Sequence, residues 1–190
     1  MGGNIRSFIA IELPGHVKDT LGSVEDCLAS FRLPVRWVVP ANIHVTLKFL
    51  GDVRESSVES IGTAITNAAR LCRPFSLRPR GVGTFPGLKR PRVVWVGMQG
   101  ETPVLAALQD RLEKELVTVG FPSENRPFKA HLTLGRTKKR VDPGTLLDAL
   151  KACSGFESTP FEVRGVTLFR SDLHSSGAVY TKLAEYPLGG

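Results

Sequence analysis

The chain has 190 residues, 42% of them hydrophobic and 23% charged, which supplies enough apolar material for a core and excludes an intrinsically disordered polymer. Twenty-five lysines and arginines against 18 aspartates and glutamates leave a formal charge of +7, a balance that favours an anionic partner, nucleic acid above all. No apolar run approaches the roughly 20 residues of a membrane span, and residues 1–13, with Arg6 and Glu12, do not read as a signal peptide; a cytoplasmic protein without a membrane partner is expected.

Residues 5–13 read as a strand broken by Pro14-Gly15. Over 16–31, Val17, Leu21, Val24, Leu28 and Phe31 recur at helical spacing. A loop with Pro34 and Pro40 leads to a strand from Ile43 to Leu50, closed by Gly51. A helix is predicted over 55–72, with Val58, Ile61, Ile65, Ala68 and Leu71 inward, and then an extended strand from Phe75 to Phe85. The order then repeats. Arg92–Val96 reads as a strand, 103–119 as a helix, Glu124–Phe128 as a loop and His131–Leu134 as a strand. A short helix is expected from Pro143, suited to a first turn, to Cys153, followed by strands at Phe161–Phe169 and about Val179–Tyr186. Cys27, Cys72 and Cys153 are odd in number, widely spaced and form no C-x-x-C, so reduced, mostly buried thiols and no thiol metal site are expected.

The two halves share one short pattern. His44-Val45-Thr46-Leu47 and His131-Leu132-Thr133-Leu134 lie 87 residues apart. In a strand, residues i and i+2 point to one face, so His44 with Thr46, and His131 with Thr133, share a face opposite an apolar one. Arg80–Phe85 and Arg164–Phe169 also look alike. This predicts an internal duplication, over about 5–90 and 91–186, within a single bilobal unit of 1–190. Two α+β lobes related by an approximate two-fold would face each other with the His/Thr strands across a cleft. Two imidazoles approaching one point from opposite sides suit in-line displacement at phosphorus, one neutral as base and one protonated as acid. Threonine hydroxyls would donate to non-bridging oxygens. The scheme requires no metal and no cofactor, and no H-E-x-x-H or carboxylate cluster accompanies the motifs.

With these flanks the chain resembles the 2H phosphoesterase superfamily, and within it the RNA 2′,3′-cyclic phosphodiesterases, also called 2′-5′ RNA ligases. The resemblance rests on Phe8–Pro14, Asn42–Gly51, Arg92–Gly97, Arg126–Arg136 and the ending from Ser171 through Tyr180 to Leu183. It implies a bilobal fold, each lobe with an antiparallel sheet and helices, and a central basic cleft. It also implies hydrolysis of RNA 2′,3′-cyclic phosphate ends, as on tRNA fragments, to 2′-phosphate ends. His44 would protonate O3′ and His131 would activate water; the residues alone show only that the roles are split. Ligation through a 2′-5′ bond would be a reversal with a hydroxyl as nucleophile.

Thr46, Thr133, Arg136, Arg126 and Lys48 are the expected substrate-binding residues. Lys48 shares the parity of His44. Arg136 has the opposite parity to His131 unless Gly135 bends the strand. Phe8, Trp37, Phe49 and Phe169 are candidate base platforms. Lys138-Lys139-Arg140 reads first as a solvated turn and second as a contact for an RNA backbone. A monomer is the default. The alternatives are an RNA-end binding module without turnover, which arginine or lysine would serve as well as histidine, and a 2H enzyme acting on small cyclic nucleotides.

Overall fold

The computed structural model describes residues 3–175 and 177–189. In chain order the strands are β1 (Asn4–Ile11), β2 (Val35–Trp37), β3 (Val45–Arg54), β4 (Phe75–Phe85), β5 (Val93–Gly100), β6 (His131–Thr137), β7 (Phe161–Val163), β8 (Gly165–His174) and β9 (Gly177–Pro187). The helices are α1 (Gly15–Ala29), α2 (Val58–Ala69), α3 (Thr102–Thr118) and α4 (Pro143–Ala152). Alternation of buried and open positions makes the strands, and three- and four-residue apolar spacing makes the helices. On α1, Val17, Leu21, Val24 and Leu28 are all buried; each such side chain contributes roughly 1.5–3 kcal/mol. Asp142 caps α4, accepting from the Thr145 amide at 2.8 Å, with Pro143 in the first turn. No described helix is long and apolar enough to cross a membrane.

All the strands pair antiparallel in one sheet of order β7-β4-β5-β6-β3-β1-β8-β9, with β2 on β6. β3 and β6 meet at the centre, where Val45 faces Leu132. On either side the register repeats: Ala10 of β1 faces Thr46 and Thr167, while Trp95 of β5 faces Thr133 and Gly83. Several neighbours in the sheet come from distant parts of the sequence. β4, from the first half of the chain, pairs with β5 and β7, and β8 and β9, from the second, extend the sheet beyond β1.

Four local expectations differ. The strand expected over Phe161–Phe169 is two, β7 and β8, interrupted at Arg164, because β7 pairs with β4 and β8 with β1 at opposite ends of the sheet. A short strand, β2, occupies the expected loop; Gly135 permits it, since a Cβ there would lie 2.4 Å from Val35 and 3.0 Å from Trp37. The helix expected from residue 55 begins with a 3₁₀ turn at Glu55–Ser57. The thiol expectation is overturned: Cys27 on α1 and Cys153 at the end of α4 form a disulfide, and only Cys72 is a free, buried thiol among the described residues. Residues 126 apart are joined because α1 and α4 pack together, which spacing along the chain cannot reveal.

Candidate active site

Each histidine stands at the entrance of its motif strand, His44 just before β3 and His131 as the first residue of β6. The Val45–Leu132 pairing places His44 across from Thr133, and Thr46 across from His131. His44 and His131 are then diagonal neighbours on one face of the sheet, about 7–8 Å apart at Cα in a regular ladder.

Their anchoring is the same. His44 Nδ1 lies 2.8 Å from the Asn42 carbonyl oxygen, and His131 Nδ1 lies 2.7 Å from that of Lys129. A carbonyl oxygen only accepts, so both Nδ1 atoms carry hydrogen and donate. Nε2 is then the working nitrogen of each ring, a lone pair when the ring is neutral and a donor when it is charged.

The surroundings differ. Phe8 stacks on His44 at 4.7 Å, Tyr180 meets it edge-on at 5.4 Å, and Phe169 stacks at 6.4 Å. Burial holds the His44 pKa below the ordinary histidine value, with Lys18 acting the same way and the Asn42 hydrogen bond opposing. His131 has a single aromatic neighbour among the described residues, Phe85, edge-on at 5.1 Å. Phe8 and Phe169 are 2% and 8% exposed, so they back His44 and are not open platforms for a base. Phe49, 63% exposed and lining the cleft, is the aromatic that stands free.

The cleft has a volume of about 660 Å³, and its lining includes Thr46, Phe49, Phe85, Arg126, Phe128 and His131. His44 borders a smaller hollow of about 40 Å³ with Glu12, Lys18 and Tyr180. Neither the Thr46 nor the Thr133 hydroxyl has a hydrogen-bond partner among the described residues, so both are available to a ligand.

Two matched irregularities set which face of the sheet the flanking cations take. Against β1, Lys48 pairs with Ile9 and Thr46 with Ala10, leaving Leu47 as an extra residue. Against β5, Thr133 pairs with Trp95 and Gly135 with Val94, leaving Leu134 extra. A bulge resets side-chain alternation. It therefore brings Arg136 onto the face of His131, beside the half-buried Tyr180 phenol, which feels its charge. It also removes Lys48 from the His44 row. The Lys48 ammonium is bound to Glu113 at 2.7 Å and to the Pro122 carbonyl at 2.8 Å, both ends of the ion pair being about nine-tenths buried. Lys48 does line the cleft, as expected, with its ammonium already bound to Glu113 and Pro122, and there it buttresses the cleft wall. Arg126 lines the cleft, and its guanidinium has no carboxylate partner among the described residues.

Sequence reasoning missed Arg36 and the packing role of Tyr180. Arg36 pairs directly with Arg136 across β2 and β6, and no carboxylate pairs with either among the described residues. Like charges directly opposite are destabilising, which suits a pair that receives an anion. β2, which sets them opposite, was itself unforeseen. Phe85 and Phe169 were detectable, since they close the two look-alike segments and each meets a motif histidine.

Residues 34–183 match the 2′-5′ RNA ligase superfamily. The chain is similar to the RNA 2′,3′-cyclic phosphodiesterase of Methanothermobacter thermautotrophicus, 34% identical and covering 97% of this chain and 99% of that one. It is similar to that of Thermus thermophilus at 33%, covering 98% and 91%. Among solved structures it resembles TT0787 of Thermus thermophilus (TM-score 0.81, 30% identity, 97% and 98% covered). It also resembles Escherichia coli LigT complexed with 3′-AMP (TM-score 0.77, 25% identity, 98% and 99% covered).

Proposed function

The chain belongs to the 2′-5′ RNA ligase superfamily, and from that membership we propose that it is an RNA 2′,3′-cyclic phosphodiesterase working by paired-histidine acid–base catalysis. The observation that carries the reading is the shared Nδ1–carbonyl anchor of His44 and His131 on strands that meet at Val45 and Leu132.

The cyclic phosphate sits between the imidazoles. His131 Nε2 takes a proton from water as its oxygen forms a bond to phosphorus. The P–O3′ bond breaks in line, and His44 Nε2–H delivers its proton to O3′. The products are a 2′-phosphate and a 3′-hydroxyl, and the two histidines have exchanged protonation states. Solvent resets them. Thr46 and Thr133 hydroxyls donate to the non-bridging oxygens, where charge builds. Acid–base assistance supplies about 10²–10⁴ per group, and an oriented donor roughly 3–4 kcal/mol. Burial disfavours the charged form of His44 in the free protein; the phosphodiester anion, with a negative charge beside Nε2, draws a proton onto it. A 5′-hydroxyl in place of water, with the same leaving group, gives a 2′-5′ diester, so ligation is the same step with another nucleophile.

A non-catalytic end-binding module gains nothing from two rings that each present a titratable Nε2. The deciding experiment is incubation of an RNA bearing a 2′,3′-cyclic phosphate with the protein in a metal chelator, followed by product analysis. A 2′-phosphate end is expected. An unchanged cyclic end, or a 3′-phosphate, refutes the reading.

A further inference from the structure

A second cavity, of about 470 Å³, is lined by Lys89, Arg90, Pro91, Arg92, Lys139, Arg140 and Val141. Its walls are the β4–β5 connection and the segment between β6 and α4. The two segments are tied together: the Thr137 hydroxyl donates to the Pro91 carbonyl at 2.8 Å, and the Thr137 amide to that of Arg92 at 3.1 Å. The groove is therefore a fixed feature and not two loose turns. The two are neighbours along the chain: Phe85, Pro86 and Val93 line the cleft while Lys89 to Arg92 line the groove.

Its charge is unopposed. Residues 86–92 and 136–141 hold Lys89, Arg90, Arg92, Arg136, Lys138, Lys139 and Arg140 and no acid, seven cations that equal the formal excess of the whole chain. Five arginines elsewhere are paired with carboxylates among the described residues, as in Arg73 with Glu101, Arg164 with Glu162 and Arg170 with Asp172. None of the seven has a carboxylate partner among the described residues. The next acid, Asp142, is committed to capping α4. Mutual repulsion of this kind is relieved by a polyanion that brings several charges at once.

We propose that Lys89, Arg90, Arg92, Lys139 and Arg140 form a binding track for the phosphodiester backbone of single-stranded RNA running 5′ from the end held in the cleft. The proposal rests on the cyclic-phosphate reading of that cleft. An RNA whose 3′-terminal phosphate lies between His44 and His131 must leave the cleft in its 5′ direction, and the groove offers that exit a row of phosphate ligands. The track makes the protein prefer oligonucleotides over mononucleotides without base readout.

The test uses the variant Lys89→Gln/Arg90→Gln/Lys139→Gln/Arg140→Gln, all exposed positions. kcat/KM is measured on a ten-residue RNA ending in a 2′,3′-cyclic phosphate and on a 2′,3′-cyclic mononucleotide, over a range of salt. The expected result is at least a tenfold loss on the oligonucleotide and an unchanged rate on the mononucleotide. The salt slope on the oligonucleotide should flatten by about 0.7 for each phosphate contact removed. An equal rate on the oligonucleotide, or equal losses on both substrates, overturns the track. Failure of the wild-type protein on the mononucleotide and the oligonucleotide alike refutes instead the reading of the cleft on which the track depends.

Discussion

Phe8 lies stacked on the imidazole of His44, ring centres 4.7 Å apart. Its register equivalent across the sheet is Val93, which faces Phe85 as Phe8 faces Phe169, and His131 has no such stacked ring beneath it among the described residues. The two motifs match in strand, tautomer and bulge and differ in this packing, and burial lowers the pKa of the His44 imidazole.

The His44 Cε1–H resonance should therefore titrate below the unperturbed value of about 6.5 in the free protein and move upward when inorganic phosphate is added. The linkage has a definite sign. The unfolded chain takes up this proton near the ordinary histidine value and the folded chain only at lower pH. The stability that His44 contributes is thus complete above that value and is lost as pH falls through the window beneath it. A midpoint above 6.5 in the free protein, seen by NMR titration, contradicts the assignment.

Thr46→Ala and Thr133→Ala should each lower kcat/KM on a cyclic phosphate by about 10²-fold, the lower range for loss of one oriented donor. Serine at either position should restore most of it. Neither hydroxyl is engaged within the described protein, so thermal unfolding should shift little. Steady-state kinetics beside a melting curve separate the two effects, and equal activity in the alanine variants would remove the threonines from the mechanism.

Lys48→Met should behave in the opposite way. It breaks a largely buried ion pair, but Glu113 keeps hydrogen bonds from Gln109 and from the Glu124 amide. The expected loss is about 3 kcal/mol of stability, the low end for such a pair. Turnover measured well below the melting point should stay within about threefold of the wild type, the two quantities being read from denaturant unfolding and initial rates. A collapse of kcat with unchanged stability would return Lys48 to the substrate.

The His-x-Thr-x pairs, the strand and helix order and the α+β class were all visible in local pattern, because period-two and period-3.6 spacings are written in neighbouring residues. What escaped depends on partners far along the chain. The extra residues Leu47 and Leu134 reverse the parity argument for Lys48 and Arg136, and a bulge shows itself only against the opposite strand. The disulfide of Cys27 with Cys153, the Arg36–Arg136 pair and the break between β7 and β8 likewise follow from packing among distant segments.

The division of labour between the histidines is tested most directly by changing the leaving atom. In a 2′,3′-cyclic phosphorothiolate with sulfur at the 3′ position, the departing thiolate needs no proton donor. Wild-type protein should hydrolyse it, and His44→Ala, crippled by about 10² or more on the oxygen substrate, should recover to near the wild-type rate. His131→Ala should stay inactive on both. Rescue of His131→Ala in place of His44→Ala would reverse the roles, and full activity of either alanine variant on the oxygen substrate would contradict paired-imidazole catalysis altogether.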